Sequence, residues 1–127
     1  TLDWLRPSYE HGYGVITMDR YKQIGAQQSI DIIRERTGDR PVYMTFDLDY
    51  LDPSVAPGVS NIESGCQGCM MDQVMQLLQA TRGMNIIGGD VVCLMPPKDS
   101  PNQITAMVAT AIMFEMISLI ADRYHSS

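Results

Sequence analysis

The chain has 127 residues, 45% of them hydrophobic and 19% charged, an ordinary globular balance that excludes a disordered polymer and fits one domain or part of one. Its net charge of −6, from 15 acids against 9 bases, speaks against nucleic acid or an anionic membrane as a partner. No apolar run is read as reaching the roughly 18 residues of a membrane span, and no basic-then-apolar leader is read at Thr1, so a soluble, cytoplasmic protein is expected.

Thr1 to Gly14 reads as polar and irregular. Gly14 to Met18 reads as a short strand, and Asp19 is placed to N-cap a helix. That helix is expected over Tyr21 to Arg36, with Ile24, Ser29, Ile30 and Ile33 near one face and Gly38 at its C′ end. Pro41 to Phe46 is a second strand, apolar on both faces and so expected to be covered on both. The connection from Leu48 to Cys69 reads as a loop longer than usual, and such loops commonly carry function.

Met70 to Thr81 follows as a helix with Val74, Leu77 and Leu78 on one side. Asn85 to Leu94 is a third strand, weakened by Gly88 and Gly89 and stopped by Pro96 and Pro97. For the final helix, Ser100 reads as the N-cap, Pro101 as N1 and Gln103 as the closing residue of a capping box. Its apolar face is read as Ile104, Met107, Val108, Ala111, Ile112, Met116 and Leu119. The order βαβαβα predicts a parallel, right-handed, three-layer α/β/α sheet. Ligands of such sheets gather at the carboxyl ends of the strands, where Asp47 and Asp49 fall.

Three cysteines do not make a disulfide scaffold at this size. Cys66 and Cys69 form a CQGC, which suits a redox pair or half a zinc site. His11 and His125 sit near the termini, so a coincidence in a loop is the preferred reading. The ten methionines are read as core filler.

Asp47 and Asp49 are the candidate chemistry. In a continuing strand, residues two apart point the same way, and two carboxylates held together repel unless one stays protonated or a cation joins them. Hard oxygen ligands suit Mn, Mg and similar ions, and two such ions sharing a carboxylate sit roughly 3.5–4 Å apart. Asp52, before Pro53, reads as a turn-former. A polar turn without chemistry remains the plain alternative.

The stretch TFDLDYLDPSVAPG (45–58) resembles the C-terminal metal motif of the ureohydrolase family of arginases and agmatinases, most closely its agmatinase-type members. GMNIIGGDVVCLMPPKD and ITAMVATAIMFEMISLIA resemble the family's next strand with its proline-bearing exit, and its final helix. GYGVITMDRY and RPVYMTFD also fall in family order, so the likeness runs from about Gly12 to Ala121. It implies an arginase-like α/β/α fold, incomplete here, with residues 1–127 the C-terminal part of a single domain. It also implies hydrolysis of a guanidino compound to urea and an amine, by a hydroxide activated between two divalent ions. Manganese is the first choice, with nickel or another ion as an alternative.

By the same resemblance, Asp47 matches the metal-bridging aspartate and Asp49 the aspartate chelating one ion. Pro53, Ala56, Pro57 and Gly58 match the following loop, and Glu63 matches a substrate-side glutamate of agmatinase-like members. Two departures stand out. The family's upstream ligands, a histidine-bearing glycine loop and a mixed aspartate–histidine motif, have no counterpart here, and His11 recreates neither. Cys93 replaces the glutamate expected to pair with the guanidinium, a contact a thiol cannot make. Cys93 is read as packing like a small hydrophobe. Homo- or hetero-oligomers, trimeric or hexameric, are implied by the resemblance alone.

Two alternatives accompany this reading. One is a catalytically impaired subunit of the same fold beside an active partner. The other is a haloacid-dehalogenase-type phosphatase, whose strand-end DxD the sequence VYMTFDLDYLD also resembles, although Leu51 stands where that motif has threonine or valine.

Overall fold

A computed structural model describes residues 2–63 and 67–125. Its centre is a parallel pair of strands, β1 (Val42–Asp47) and β2 (Ile86–Val92). After an irregularity between Val42 and Tyr43, the register runs from Tyr43↔Gly88 to Asp47↔Val92. Parallel neighbours need a crossover, here made through helix α3 (Met71–Ala80). Helix α2 (Met18–Thr37) precedes β1 and α4 (Ile104–His125) follows β2. The fold is thus a parallel α/β arrangement, an incomplete version of the three-layer sheet.

The first residues are not irregular. A 3-10 turn at Leu2–Leu5 leads into α1 (Arg6–Glu10), with Pro7 in its first turn, where a fixed φ suits a helix start. The strand expected at Gly14 to Met18 does not form. A strand needs a hydrogen-bonding neighbour, and among the described residues β1 pairs only with β2. Just before this segment the Arg36 guanidinium donates to the Gly12 carbonyl. Thr17, not Asp19, caps α2: its hydroxyl accepts from the Arg20 N–H at 3.3 Å. Asp19 lies in the first turn, where the helix dipole favours a negative charge. Gly25, at φ 75°, breaks α2 into two helical pieces. Gly38 closes it as expected, donating to Arg34 O at 2.8 Å.

The two faces of β1 differ, contrary to the expectation of cover on both. Met44, Phe46 and Val91 join one core with Tyr21 of α2, Val74 and Leu78 of α3, and Ile112, Met116 and Leu119 of α4. On the other face Tyr43 is 61% exposed. There the Tyr43 and Thr45 hydroxyls donate to Asp90 at 3.0 and 2.5 Å. At Gly89 an added Cβ would meet Met44 O at 2.7 Å and the Met116 sulfur at 3.4 Å, so this glycine lets α4 lie close on the sheet.

Helix α4 begins at Ile104, later than the sequence suggests. Pro101 and Asn102 form a turn, and Gln103 takes a left-handed φ of 55°. Ser100 Oγ accepts from the Ile104 N–H at only 3.4 Å. The stronger cap is Asp99, whose two oxygens accept from the N–H groups of Thr105 and Ala106, each at 3.0 Å. A carboxylate satisfies two orphan donors at once and complements the helix dipole. The buried stripe is Thr105, Val108, Ile112, Met116 and Leu119. Ile104, Met107 and Ala111 face outward, and Thr105 is buried because its hydroxyl accepts from the Gly58 N–H at 2.9 Å. Contrary to the expectation of no such run, α4 is long and apolar enough to cross a membrane by length and composition, since its acidic residue Glu115 does not interrupt the pattern. Its inward stripe packs on the sheet core.

The connection after β1 is structured rather than slack. A 3-10 turn covers Leu48–Tyr50, and single bridges join Leu51 to Cys69 and Val59 to Leu94. Leu48, Leu51, Ala56, Val59 and Cys69 are all buried in the main core. Asp52 forms the turn expected of it, Oδ1 accepting from the Ser54 N–H at 3.0 Å and from its hydroxyl at 2.6 Å.

Candidate metal centre

The parallel register sets the site. It ends with Asp47 opposite Val92, so both strands exit at the same end of the sheet. Asp47 and Asp49 do come together, but not through strand alternation. The strand stops at Asp47, Leu48 turns inward with no exposure, and the 3-10 turn returns Asp49 beside Asp47. Asp47 Oδ1 accepts from the Asp49 N–H at 2.9 Å, which fixes the pair.

Cys93, the first residue after β2, completes the cluster. Its sulfur and one oxygen from each of Asp47 and Asp49 lie within 4.8 Å of one another. Cys93 has a left-handed φ of 69°, rare outside glycine. The conformation is held by Ser60, whose N–H and hydroxyl donate to the Cys93 carbonyl at 3.1 and 3.3 Å. The expectation that Cys93 packs as a small hydrophobe is therefore corrected: it is half-buried, with its sulfur grouped against the two carboxylates. The adjacent Asp47 side chain, with desolvation and the charges of Asp47 and Asp49, pushes the thiol pKa up. Burial, then the Asp47 charge, likewise raises the Asp49 carboxyl above its usual range, with Glu63 adding to the shift. The Asn61 backbone and Lys98 oppose it.

One atom tests whether a cation suits this cluster. Asp49 Oδ1 has essentially no accessible surface and no hydrogen-bond partner among the described residues. A buried acceptor without a donor is costly, and a divalent ion bound by oxygen ligands removes that cost. The residues present therefore fit a metal. Glu63 is exposed and shares with Asp49 the wall of a cavity of about 200 Å³. Lys98, which the sequence reading passed over, donates to Ser60 O at 2.9 Å and so braces the segment holding Cys93. The only signal for it was a charge directly after the two prolines. His11 is exposed beyond α1 and is not part of the cluster. Cys69 is buried, its sulfur 3.8 Å from that of Met18, while Cys66 and hence the CQGC pairing lie outside the described residues.

Comparison with known proteins gives a consistent set of likenesses. The sequence model of the Arginase family matches residues 4–118. A guanidinopropionase of Pseudomonas aeruginosa is 37% identical over 113 residues, which are 89% of this chain and 35% of that protein. An agmatinase of Photorhabdus laumondii is 36% identical over 90% of this chain and 36% of its own length. The structure of proclavaminate amidinohydrolase from Streptomyces clavuligerus superposes with a TM-score of 0.84 at 34% identity, covering 97% of this chain and 39% of that one. The chain thus spans little more than a third of the length of the relatives it matches.

Proposed function

The chain belongs to the arginase family, and from that premise we propose that it supplies two metal-binding carboxylates to a hydrolase of guanidino compounds, releasing urea and an amine. One observation carries the reading: the buried, partnerless oxygen of Asp49 held beside Asp47 at the strand exits. In this reading residues 1–127 are the C-terminal part of a single α/β/α domain, and the remaining ligands come from another part of it. Asp47 and Asp49 would hold the divalent ions through their carboxylates, with manganese the first choice for oxygen donors and nickel an alternative. Such ions, when bound, supply Lewis acidity and nucleophilic water at neutral pH.

The chain's own residues do the positioning. The Asp49 N–H holds the Asp47 carboxylate, and buried Leu48 anchors the turn between them. Glu63 offers a carboxylate to a cationic guanidinium, a charge-assisted contact. Cys93 stands on the substrate side where relatives of the agmatinase type carry glutamate, and its thiol cannot form the paired contact, so recognition of the guanidinium falls to Glu63. A cytoplasmic setting and assembly into trimers or hexamers belong to the same proposal. The family match sets aside the dehalogenase-type phosphatase reading.

The test uses the full-length protein, with urea release measured across a panel of guanidino compounds and metal content by elemental analysis. Asp47→Asn is expected to lower metal affinity by at least roughly tenfold, a loss that even outer-shell partners cause. Unchanged metal content removes the ligand role. The replacement at Cys93 favours a second reading, a catalytically impaired subunit. That reading predicts bound metal without urea release from any compound in the panel, and stimulation of an active partner on mixing.

A further inference from the structure

We propose that Cys93 is itself a metal ligand, making this a mixed sulfur–oxygen centre that prefers softer divalent ions, zinc, cobalt or cadmium, over manganese. The proposal rests on the reading of Asp47 and Asp49 as ligands and adds to it. Three observations converge. The sulfur and the two carboxylate oxygens lie within 4.8 Å of one another, close enough to share one ion. Asp49 Oδ1 is buried beside them without a donor. The parallel register brings Cys93, the first residue after β2, to the Asp47 end of β1.

Binding there exchanges one cation for another. The ion forms a bond to sulfur, the S–H bond breaks, and the proton leaves to solvent; no electron changes owner. A coordinating thiol is deprotonated outright. The backbone that carries the sulfur is also held in place. The left-handed backbone at Cys93 is pinned through its carbonyl by Ser60, and Ser60 is braced in turn by Lys98. Thiolate ligands favour zinc and other softer ions, whereas carboxylates alone suit manganese or magnesium.

The test is cobalt titration of the full-length protein, with Cys66 and Cys69 retained in every variant. The parent is expected to show a thiolate-to-cobalt charge-transfer band in the near ultraviolet. Cys93→Ser and Cys93→Ala are expected to lose that band while their visible ligand-field bands show cobalt still bound. Their cadmium affinity should fall roughly tenfold or more, with manganese affinity changed much less. Cobalt bound by the parent without the band, or a band that survives both substitutions, overturns the proposal and leaves the carboxylate reading standing. If the parent binds no cobalt, cadmium or manganese, the carboxylate reading falls and this proposal with it. Cadmium NMR of the parent alone gives a measurement that needs no variant to fold. A shift in the sulfur-ligated range supports the proposal, and one in the all-oxygen range overturns it.

Discussion

At the strand exits, the segment after β1 buries Leu48, Leu51, Ala56, Val59 and Cys69, and Gly58 is tied to Thr105 on one side and Met95 on the other. The outward face of α4 shows the reverse: Phe114 is 70% exposed, Ile117 56%, and Met107 and Tyr124 also face out. The first region is apolar sequence consumed by the chain's own packing. The second is apolar sequence that the chain's own packing leaves uncovered, and contiguous exposed apolar surface of this kind marks a contact face. The candidate centre is therefore shaped by contacts inside this chain, while the outer helix surface is not finished by them.

The contrast can be broken first at Ile112, fully buried on the inward stripe of the same helix. Ile112→Ala is expected to cost about 2–5 kcal/mol in chemical denaturation. A loss near zero would mean that α4 is not seated on the sheet. Next comes Gly58, where an added Cβ would lie 2.7 Å from the Asp99 backbone and side chain. Gly58→Ala should destabilise by about 1–3 kcal/mol through overpacking. It should also loosen the loop near Cys93, because Met95 N–H donates to Gly58 O at 2.8 Å. Thermal melting matching the parent would show that this junction yields easily.

A smaller effect is expected from Asp99 and depends on pH. Partial desolvation raises its pKa, but hydrogen bonds from Ala106, Thr105 and Ser100 outweigh it and hold the carboxyl down at about 2, against an ordinary value of 3.8. A depressed carboxylate stabilises the fold above its unfolded pKa and loses that contribution as pH falls through its folded one. The stability gap between parent and Asp99→Asn should therefore be full above about pH 4 and close towards pH 2. A gap that does not change over that window would remove Asp99 as the charged cap of α4. The smallest effect is expected on the outward face. Phe114→Ser should change stability by less than about 0.5 kcal/mol in the uncovered chain. A large loss, together with a change in sedimentation, would show that another surface covers this face.

Much of the scaffold could be read from the chain itself. The helices α2 and α3, strands β1 and β2, and the Gly38 stop lie close to where spacing and punctuation put them, because periodic burial and special backbone residues are local signals. The misses share a physical cause. Asp99 displaced Ser100 as the cap because a carboxylate several residues away could reach two helix N–H groups. The strand expected at Gly14 to Met18 had β-prone residues and no partner to pair with. Ile104 and Met107 matched the apolar period of α4, yet Thr105 went inward because Gly58 offered its hydroxyl a donor.

By itself the sequence determined that two carboxylates end an apolar strand, that a parallel α/β arrangement carries them, and which family the motif resembles. Those are properties of neighbouring residues, and local chemistry suffices to read them. Only the tertiary structure decided that Cys93 meets Asp47 and Asp49, that Asp49 keeps a buried oxygen without a donor among the described residues, and that Leu48, Leu51, Ala56, Val59 and Cys69 join the core. The first of these depends on the register between two strands far apart in the chain, and all of them depend on packing between segments that no residue's own preference encodes.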